Sequence, residues 1–424
     1  MDTGDLDVIV GDYTQALIEK LNSVHGHGPF SHLFEEFLKE LSEKMVSETG
    51  ESEITRALKN WKHEEQSAKM FNLLIQSCIK NKMKSGFYKD DDGRSLSFKK
   101  NHFMFIRELI KGRKPSGSSK NRKPFLFEIV ANKDTGINVD KMDYFSRDCH
   151  HLGMKSNFSH ERYMMFARVC KNSVGEEHIC MRDKEAINMY ELFHNRYILH
   201  YTVCHHRVKV AIETMIIDVL LEAEAHFRIG DKKISQAVMD PKTYLNLTDD
   251  ILHEIMRSND ENLKTARKII RRIDKRKLYK FAGGKMYKND KLAHLDSAEK
   301  WKEWQQWINE KSINEDHFIV KSVKLNYGRD HEDPIQFLWF YRKRHLGKAV
   351  KLSENEVSYT LPRILAETKV MLFYKGNGKL PKKTPIQKFW NCVENKELSE
   401  ESSDETSEES SEESSDETSE GLSD

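Results

Sequence analysis

The chain has 424 residues, is 38% hydrophobic and carries a formal net charge of +1, which predicts a globular protein with one large or two moderate domains. It has no run of 18 apolar residues, and its acidic start lacks the basic and apolar regions of a signal peptide, so we expect neither a membrane span nor a leader. Its six cysteines include no CxxC pair, which argues against zinc ribbons and a secreted disulfide framework and favours a reducing compartment.

Helical spacing of apolar residues dominates the N-terminal part of the chain. Between residues 13 and 46 this spacing predicts two helices that meet at a tight glycine-proline corner, and it predicts further helix over residues 52 to 80. Turn residues predict a loop at 86 to 96, and a basic loop is predicted at 111 to 123.

A long helix is predicted in the middle of the chain. The segment from Asp183 to Glu224 contains no Gly or Pro and has apolar residues at mixed three- and four-residue intervals, as a buried central helix would. Two shorter helices are predicted at residues 249 to 256 and 261 to 274. Beyond residue 317, short β-branched and aromatic runs predict strands at Phe318–Val320, Phe337–Tyr341 and Val370–Tyr374. The sequence therefore predicts a mainly α protein in which a helical core is followed by a smaller α+β lobe.

The C-terminal tail is strongly acidic, whereas the rest of the chain has more basic than acidic residues. Residues 399 to 424 repeat with a 12-residue period and hold 12 of the 68 acidic residues but no Lys or Arg, which leaves 69 basic against 56 acidic residues elsewhere. A tail without aromatic residues is expected to be disordered, either as a substrate of acidophilic kinases or only as a solubilising segment. The excess of 13 positive charges favours polyanionic partners, although dispersed lysines on solvated helices explain it as well.

Three clusters carry possible chemistry, and the first is a histidine-rich corner. His25, His27 and His32 surround the predicted turn. Neutral imidazole is a common metal ligand and titrates near neutrality, so these side chains are candidates for metal binding or proton transfer. Histidines that merely cap or pack are the alternative.

The second cluster is the segment from Val139 to His151. If this segment is helical, Asp140, Asp143 or Tyr144, and Asp148 lie along one face, which combines a possible metal carboxylate with groups able to hold a phosphate or sugar. An amphipathic helix with a solvated charged face is the simpler interpretation.

The third cluster forms one stripe on the predicted central helix. Arg196, His200, Cys204 and Arg207 follow one another at four, four and three residues, which is compatible with a cationic pocket. Surface salt bridging is the commoner explanation of such a stripe.

Four blocks of sequence carry a family resemblance. They read GHGPFSHLF at Gly26–Phe34, VDKMDYFSRDCHHLG at Val139–Gly153, FARVC at Phe166–Cys170 and RDKEAINMYELFHNR at Arg182–Arg196. In this order and at these distances they resemble the SAM-and-HD-domain deoxynucleoside triphosphate (dNTP) triphosphohydrolase family. The resemblance implies a helical HD-domain core and an α+β lobe, nuclear or cytoplasmic location, and hydrolysis of dNTPs to deoxynucleoside and triphosphate with a divalent metal such as Zn, Fe, Mn or Mg.

The resemblance also implies a domain plan. The chain divides into a divergent segment at 1–25, a partial HD core at 26–275, an α+β lobe at 276–395 and an acidic tail at 396–424. We expect no SAM domain here.

Residue by residue, the resemblance assigns an active site. Asp140 matches a metal ligand, and His27, His63 and Glu64 match the catalytic group beside the metal. The positions that hold the triphosphate and sugar are His32, Lys141, Tyr144, Asp148, Arg196 and His200, with Cys204 where the family has a tyrosine stacked on the sugar.

The chain departs from the family at the metal. Where the family has a paired His and Asp, four and three residues before the position of His27, this chain has Ser23 and Val24, and the first metal histidine has no counterpart. A lone carboxylate such as Asp140 binds a divalent ion weakly. We therefore expect metal binding to be weakened or lost and hydrolysis to be impaired.

A second nucleotide site is implied between subunits. The positions that match residues gripping an activating nucleotide are Arg162, Arg182, Lys184, Asn188, His206, Arg207, Arg267 and Arg271. The family's nucleotide-driven assembly makes dNTPs or GTP expected ligands, and a homo-oligomer or a hetero-oligomer with an intact paralogue the expected assembly. Cys170 and Cys180 resemble a redox-sensitive pair, with two buried thiols as the alternative.

Three functions remain open from the sequence. The chain is an active dNTP hydrolase, a nucleotide-binding pseudoenzyme that regulates an intact paralogue, or a binder of single-stranded nucleic acid whose acidic tail competes with the ligand. Ser23 and Val24 argue against the first, Lys141, Tyr144 and Arg196 favour the second, and no array of stacking aromatic residues supports the third.

Overall fold

The computed structural model describes residues 29–80, 88–89, 95–96, 100–112, 123–288, 298–311, 317–381 and 383–394. The predicted helix before the glycine-proline corner, most of the predicted basic loop and the acidic tail lie outside these ranges. Within them, no helix has both the length and the apolarity that a membrane crossing requires.

Helices make up most of the described chain, which confirms the mainly α fold class. In chain order they are α1 His32–Thr49, α2 Glu53–Lys59, α3 His63–Lys80, α4 Lys100–Lys111, α5 Val139–His151, α6 His160–Phe166, α7 Ala186–Leu199, α8 Arg207–Ala223, α9 Ile234–Met239, α10 Pro241–Tyr244, α11 Ile251–Arg257, α12 Lys264–Asp274, α13 Ala298–Lys311 and α14 Glu354–Val357. Residues 383–394 are also helical. Short 3₁₀ turns occur at Pro124–Glu128, Asp183–Glu185, Glu261–Leu263 and Pro334–Phe337, and a π turn occurs at His200–Cys204.

The strands fall into three groups. They are β1 Tyr88–Lys89, β2 Ser95–Leu96, β3 Arg168–Lys171, β4 Glu177–Arg182, β5 Lys280–Lys288, β6 Phe318–Asn326, β7 Phe340–Arg342, β8 His345–Val350 and β9 Ala366–Tyr374. β1 and β2 pair with each other, β3, β4, β7 and β8 close into a ring, and β9 lies between β5 and β6 in an antiparallel sheet.

The chain forms two compact units, neither of which is one continuous segment. The first contains the described residues up to Met189 together with Ile212–Arg276 and Ile335–Ser353, and the second contains Tyr190–Ala211, Lys277–Pro334 and the described residues from Glu354 onward.

The core of the first unit explains why α1 and α8 form. Phe34, Phe37 and Leu38 of α1 are fully buried and share one apolar cluster with Val219 and Leu220 of α8. These positions recur at three- and four-residue intervals, so each helix buries a single apolar stripe. This packing holds the start of α1 next to the start of α3.

One apolar cluster of the second unit lies on one face of the β5–β9–β6 sheet. Phe318, Val370 and Leu372 from the strands pack with Ile308 of α13 and Phe389 of the C-terminal helical segment. Alternation along β9 places these strand residues on the same face. The result is the α+β part that the sequence predicts.

The predicted central helix is interrupted. Between α7 and α8 the backbone N–H of His205 donates to the carbonyl of His200 at 2.9 Å, the longer-range bond of a π turn. The hydroxyl of Thr202 donates to the carbonyl of Ile198 at 2.7 Å and so competes for an acceptor of the ordinary helical ladder. The prediction of one uninterrupted helix from Asp183 to Glu224 was therefore wrong.

Other boundaries also differ from the prediction. Residues 52 to 80 are helical as predicted but form two helices: Ser52 caps α2 through a 3.1 Å bond that its hydroxyl accepts from the N–H of Thr55, and residues 60–62 separate α2 from α3. The predicted loop at 86 to 96 contains the two short strands β1 and β2. Pattern analysis missed β3 and β4, since β3 has only four residues and buries one of them.

Candidate active site

A cavity of about 1730 Å³ lies in the first unit and brings together part of the predicted site. His63, Glu64, Asp140 and Lys141 all contribute to its lining. The charged lining residues are acidic at Glu64, Asp140, Asp143, Asp249, Asp250 and Asp274 and basic at Lys133, Lys141 and Arg147. Acidic groups therefore outnumber basic ones in the wall.

The helix α5 positions two of these residues through its N-terminus. The side chain of Asn138 accepts a 2.9 Å hydrogen bond from the backbone N–H of Lys141, which caps the helix. Asp140 lies in the first turn, where the helix dipole favours negative charge, and its side chain is exposed. Met142, Phe145 and Cys149 form the buried face.

The predicted face of α5 only partly reaches the cavity. Asp143 and Arg147 line the cavity and pair with each other at 3.1 Å. Tyr144 and Asp148 are half-buried and are not lining residues, and Asp148 lies 3.6 Å from the guanidinium of Arg147. This helix therefore has a buried apolar face, as the amphipathic interpretation expects, and presents part of its charged face to the cavity.

The corner before α1 has an unusual backbone. Phe30 and Ser31 have φ values of 57° and 55°, a left-handed region that non-glycine residues rarely occupy. The N–H of Phe30 donates to Asp249 at 2.8 Å, which fixes the corner against the segment before α11. Strained backbone of this kind clusters at functional sites. His32 follows as the first residue of α1. His27, by contrast, lies outside the described residues.

His32, Glu35 and His63 form a compact group at this corner. One ligand atom from each side chain lies within 4.8 Å of the other two, and among the described residues this is the group of His, Cys, Asp or Glu side chains that fits a metal ion. The imidazole rings of His32 and His63 meet edge to face with centroids 4.9 Å apart.

Glu35 is tied to His63 and to its neighbour Lys62. Its carboxylate bonds to the Nδ1 atom of His63 and accepts from the backbone N–H of His63 at 3.1 Å and from Lys62 at 3.0 Å. Partial burial acts to raise the pKa of Glu35, but these hydrogen bonds outweigh it and hold the pKa below its ordinary value. Glu35 is therefore ionised near neutrality and orients the imidazole of His63.

The remaining predicted substrate-binding residues belong to the second unit. The guanidinium of Arg196 donates to both the carbonyl and the side-chain oxygen of Asn326, the latter at 2.8 Å. The rings of His200 and His205 lie 5.6 Å apart, and Cys204 ends the π turn. This unit thus holds Arg196, His200 and Cys204 near one helix interruption, and π turns recur at functional sites.

Comparison with known proteins decides the family. No family model matches the chain, but it is 35% identical over 427 residues to the deoxynucleoside triphosphate triphosphohydrolase SAMHD1 of Xenopus laevis, covering 93% of this chain and 64% of that protein. It is 37% identical to the SAMHD1 protein of Bos taurus (82% of this chain, 59% of the relative) and 32% identical to the SAMHD1 homologue of Dictyostelium discoideum (84% and 60%). The chain belongs to the SAMHD1 family. It spans roughly three fifths of the length of these curated relatives.

Several positions matched to the regulatory nucleotide site of the SAMHD1 family have partners within this chain. Arg162 forms an ion pair with Glu185, whose side chain is almost fully buried. Arg267 is itself buried and donates to the carbonyls of Ser258 at 2.8 Å and Asp260 at 2.6 Å. These arginines stabilise the first unit whether or not a nucleotide binds.

The other matched positions vary in exposure and contacts. The side-chain oxygen of Asn188 accepts from the N–H of Ser159 at 2.9 Å, and its amide donates to the carbonyl of Ser159 at 3.2 Å. Ser159 stands where the resemblance gives the family an aspartate. Lys184 lies 4.0 Å from the ring centre of Phe166, and Arg182 pairs with Asp183 at 2.7 Å. In the second unit His206 and Arg207 are exposed, and in the first Arg271 is exposed.

The two cysteines matched to a redox-sensitive pair lie in the strand ring. Cys170 and Cys180 face its interior with Tyr341 and Ala349, and both are free thiols. Burial raises the pKa of each thiol, which keeps the unreactive protonated form. The buried-thiol interpretation accounts for this geometry.

Sequence reasoning missed Glu35 as a site residue. Its spacing of three residues from His32 was an available signal, because residues three apart share one helix face. The partner His63 comes from α3, and no sequence spacing gives that proximity.

Proposed function

We propose that this chain binds a deoxynucleoside triphosphate in the cavity of the first unit and hydrolyses it poorly. The observation that carries the proposal is the convergence of His63, Glu64, Asp140 and Lys141 on one cavity wall. The curated relatives are named deoxynucleoside triphosphate triphosphohydrolases, which supports the substrate class.

The metal chemistry of the family does not fit the positions that this chain offers for it. A divalent ion in such an enzyme polarises the phosphate and activates water. Ser23 and Val24 stand where the family has a metal-binding His and Asp, and neither side chain supplies an imidazole or carboxylate. Without these two ligands Asp140 holds a divalent ion less firmly, so we propose impaired hydrolysis.

The protein's own groups support binding and proton transfer. The ammonium group of Lys141 attracts phosphate oxygens. The imidazole of His63, oriented by Glu35, is placed to hold or move a proton. Because six acidic residues against three basic ones line the cavity, a triphosphate there needs accompanying cations. We therefore propose that nucleotide binding depends strongly on added divalent ions.

The setting of the protein follows from the same family. We propose a nuclear or cytoplasmic protein that forms a homo-oligomer or pairs with an intact paralogue, with dNTPs or GTP as regulatory ligands. Regulation of the paralogue by a pseudoenzyme is the alternative to residual hydrolysis.

Binding of single-stranded nucleic acid is a second candidate. The excess of 13 positive charges outside the tail favours this ligand, since such binding is largely electrostatic.

The test measures dGTP binding by equilibrium dialysis and dGTP turnover with Mn²⁺ or Mg²⁺, beside the double variant Ser23→His, Val24→Asp. We expect binding that needs the metal, turnover near background in the parent, and stronger metal affinity in the double variant. Failure to bind dGTP under any metal condition would refute the nucleotide function. Parental turnover that Asp140→Ala abolishes would refute the proposed impairment.

A further inference from the structure

We infer that His32, Glu35 and His63 form a divalent-cation site of the zinc class, separate from the family's metal position. The inference goes beyond the proposed function, because it rests on these three side chains and holds whether or not a nucleotide binds. Two imidazoles and one carboxylate are the donor set of catalytic zinc sites that keep a fourth position open for water.

The spacing of the donors fits such an ion after a small adjustment. Zinc–ligand bonds of 2.0 to 2.2 Å place tetrahedral ligands about 3.3 to 3.5 Å apart. The three ligand atoms here lie within 4.8 Å of one another, so the wider pairs need to close by about 1.5 Å at most. The ligand atoms of Glu35 and His63 are in hydrogen-bond contact and have to move apart to make room for an ion between them. The proposal requires both changes to come from rotation of these three side chains.

Two rigid elements present the donors. His32 and Glu35 are three residues apart on α1, which places them on one helix face, and His63 is the first residue of α3. The apolar face of α1, with Leu33, Phe34 and Phe37 buried, fixes this helix in the core. His32 is exposed, so the group is open to ions from solvent.

The surroundings supply the outer contacts that metal sites use. Lys62 donates to Oε2 of Glu35 at 3.0 Å, and the backbone N–H of His63 donates to Oε1 at 3.1 Å, so both carboxylate oxygens are held at the site. In the proposal Oε1, which also contacts Nδ1 of His63, turns towards the ion. Such hydrogen bonds orient ligating carboxylates. The carboxylate of Glu64 lies 3.7 Å from His63 and adds negative charge beside the ion.

A divalent ion bound by these three side chains would change the net charge beside the cavity. Glu35 neutralises half of a divalent ion, and two neutral imidazoles leave one positive charge. Since His63 also lines the acidic cavity, this charge would offset part of the repulsion that its walls exert on an anion.

The test is zinc binding by the full chain, measured against a competing chelator that suppresses weak binding to the acidic tail, with Co²⁺ absorption as a probe of imidazole coordination. The variants are Glu35→Gln and His32→Asn, the control is Asp140→Asn, and circular dichroism checks that each variant folds. We expect one zinc ion per chain, an affinity at least ~100-fold weaker in the two ligand variants, and parental affinity in the control.

Three results would overturn the inference of a zinc site. No competitive zinc binding by the parent shows that the three side chains form only a hydrogen-bonded group. Parental affinity in Glu35→Gln or His32→Asn shows that the ion lies elsewhere, and an equal loss in Asp140→Asn assigns it to the family's position. If the parent chain binds zinc but does not bind dGTP, the proposed function is refuted and the zinc site stands.

Discussion

At the residue scale, matching a family motif identifies side-chain types but not their partners. Arg162 and Arg267 match positions that grip a nucleotide, yet Arg162 neutralises the buried Glu185 and Arg267 holds two carbonyls of the chain. Substitution of Arg162 would leave the buried carboxylate of Glu185 without this partner, although the exposure of Arg162 to solvent makes the destabilisation smaller than for a fully buried pair. A loss of function on substitution of Arg162 would therefore report on folding as much as on binding.

The Glu35–His63 contact makes stability depend on pH in the acid range. Because the pKa of Glu35 is lower in the folded chain than its ordinary value of 4.5, the ionised carboxylate stabilises the fold above that value. This contribution disappears as the pH falls through the lowered folded pKa. We expect Glu35→Gln to reduce the free energy of unfolding by about 1–3 kcal/mol at pH 7, with the difference from the parent shrinking below about pH 4.

Urea unfolding of the metal-free chain at pH 7 and pH 3.5 measures this difference. Glu48→Gln, in the last turn of α1 and exposed, is the matched control and should change little at either pH. An equal loss for Glu35→Gln at both pH values would show that shape, not charge, causes the effect.

At the element scale, periodicity predicts long helices well and their interruptions poorly. Helical spacing located α1 and α12, because each buries an apolar stripe. It gave one helix where a π turn at His200–Cys204 separates α7 from α8, because that segment contains no Gly or Pro to signal the interruption. The family resemblance supplied Asp140 and Lys141, while the Glu35–His63 contact depends on packing between helices.

The N-terminus of α5 offers a prediction at this scale. Asn138 caps the helix whose first turn carries Asp140 and Lys141 to the cavity. Asn138→Ala should lower the free energy of unfolding by about 1 kcal/mol and weaken dGTP binding, because the first turn frays without its cap. Thermal unfolding and equilibrium dialysis measure the two effects.

A capping substitution provides the control. Asn138→Asp keeps an oxygen acceptor at the cap and adds negative charge at the helix N-terminus, so stability should stay near that of the parent. If Asn138→Ala and Asn138→Asp weaken dGTP binding equally, the amide of Asn138 contacts the ligand itself and the capping explanation is wrong.

At the scale of the whole molecule, charge is distributed unevenly along the chain. The tail from residue 399 holds 12 acidic residues, and the rest of the chain has 13 more basic than acidic residues. Charges that are covalently part of the same chain act at a high effective concentration, so an acidic segment can compete with other polyanions for a basic surface. The near-neutral net charge is therefore the sum of an acidic tail and a basic remainder, and the tail can compete with a polyanionic ligand for the basic surface.

Removal of the tail tests this competition. A chain that ends at residue 398 should bind single-stranded oligo(dT) several-fold more tightly than the full chain at about 50 mM salt, with the difference fading as screening increases towards about 0.5 M. Fluorescence anisotropy across a salt series measures both affinities. A matched chain with the tail's acidic residues changed to Gln and Asn separates charge from length and should behave like the truncated chain. Equal affinities of the full and truncated chains at low salt would show that the tail does not compete, and would leave its role to partners outside this chain.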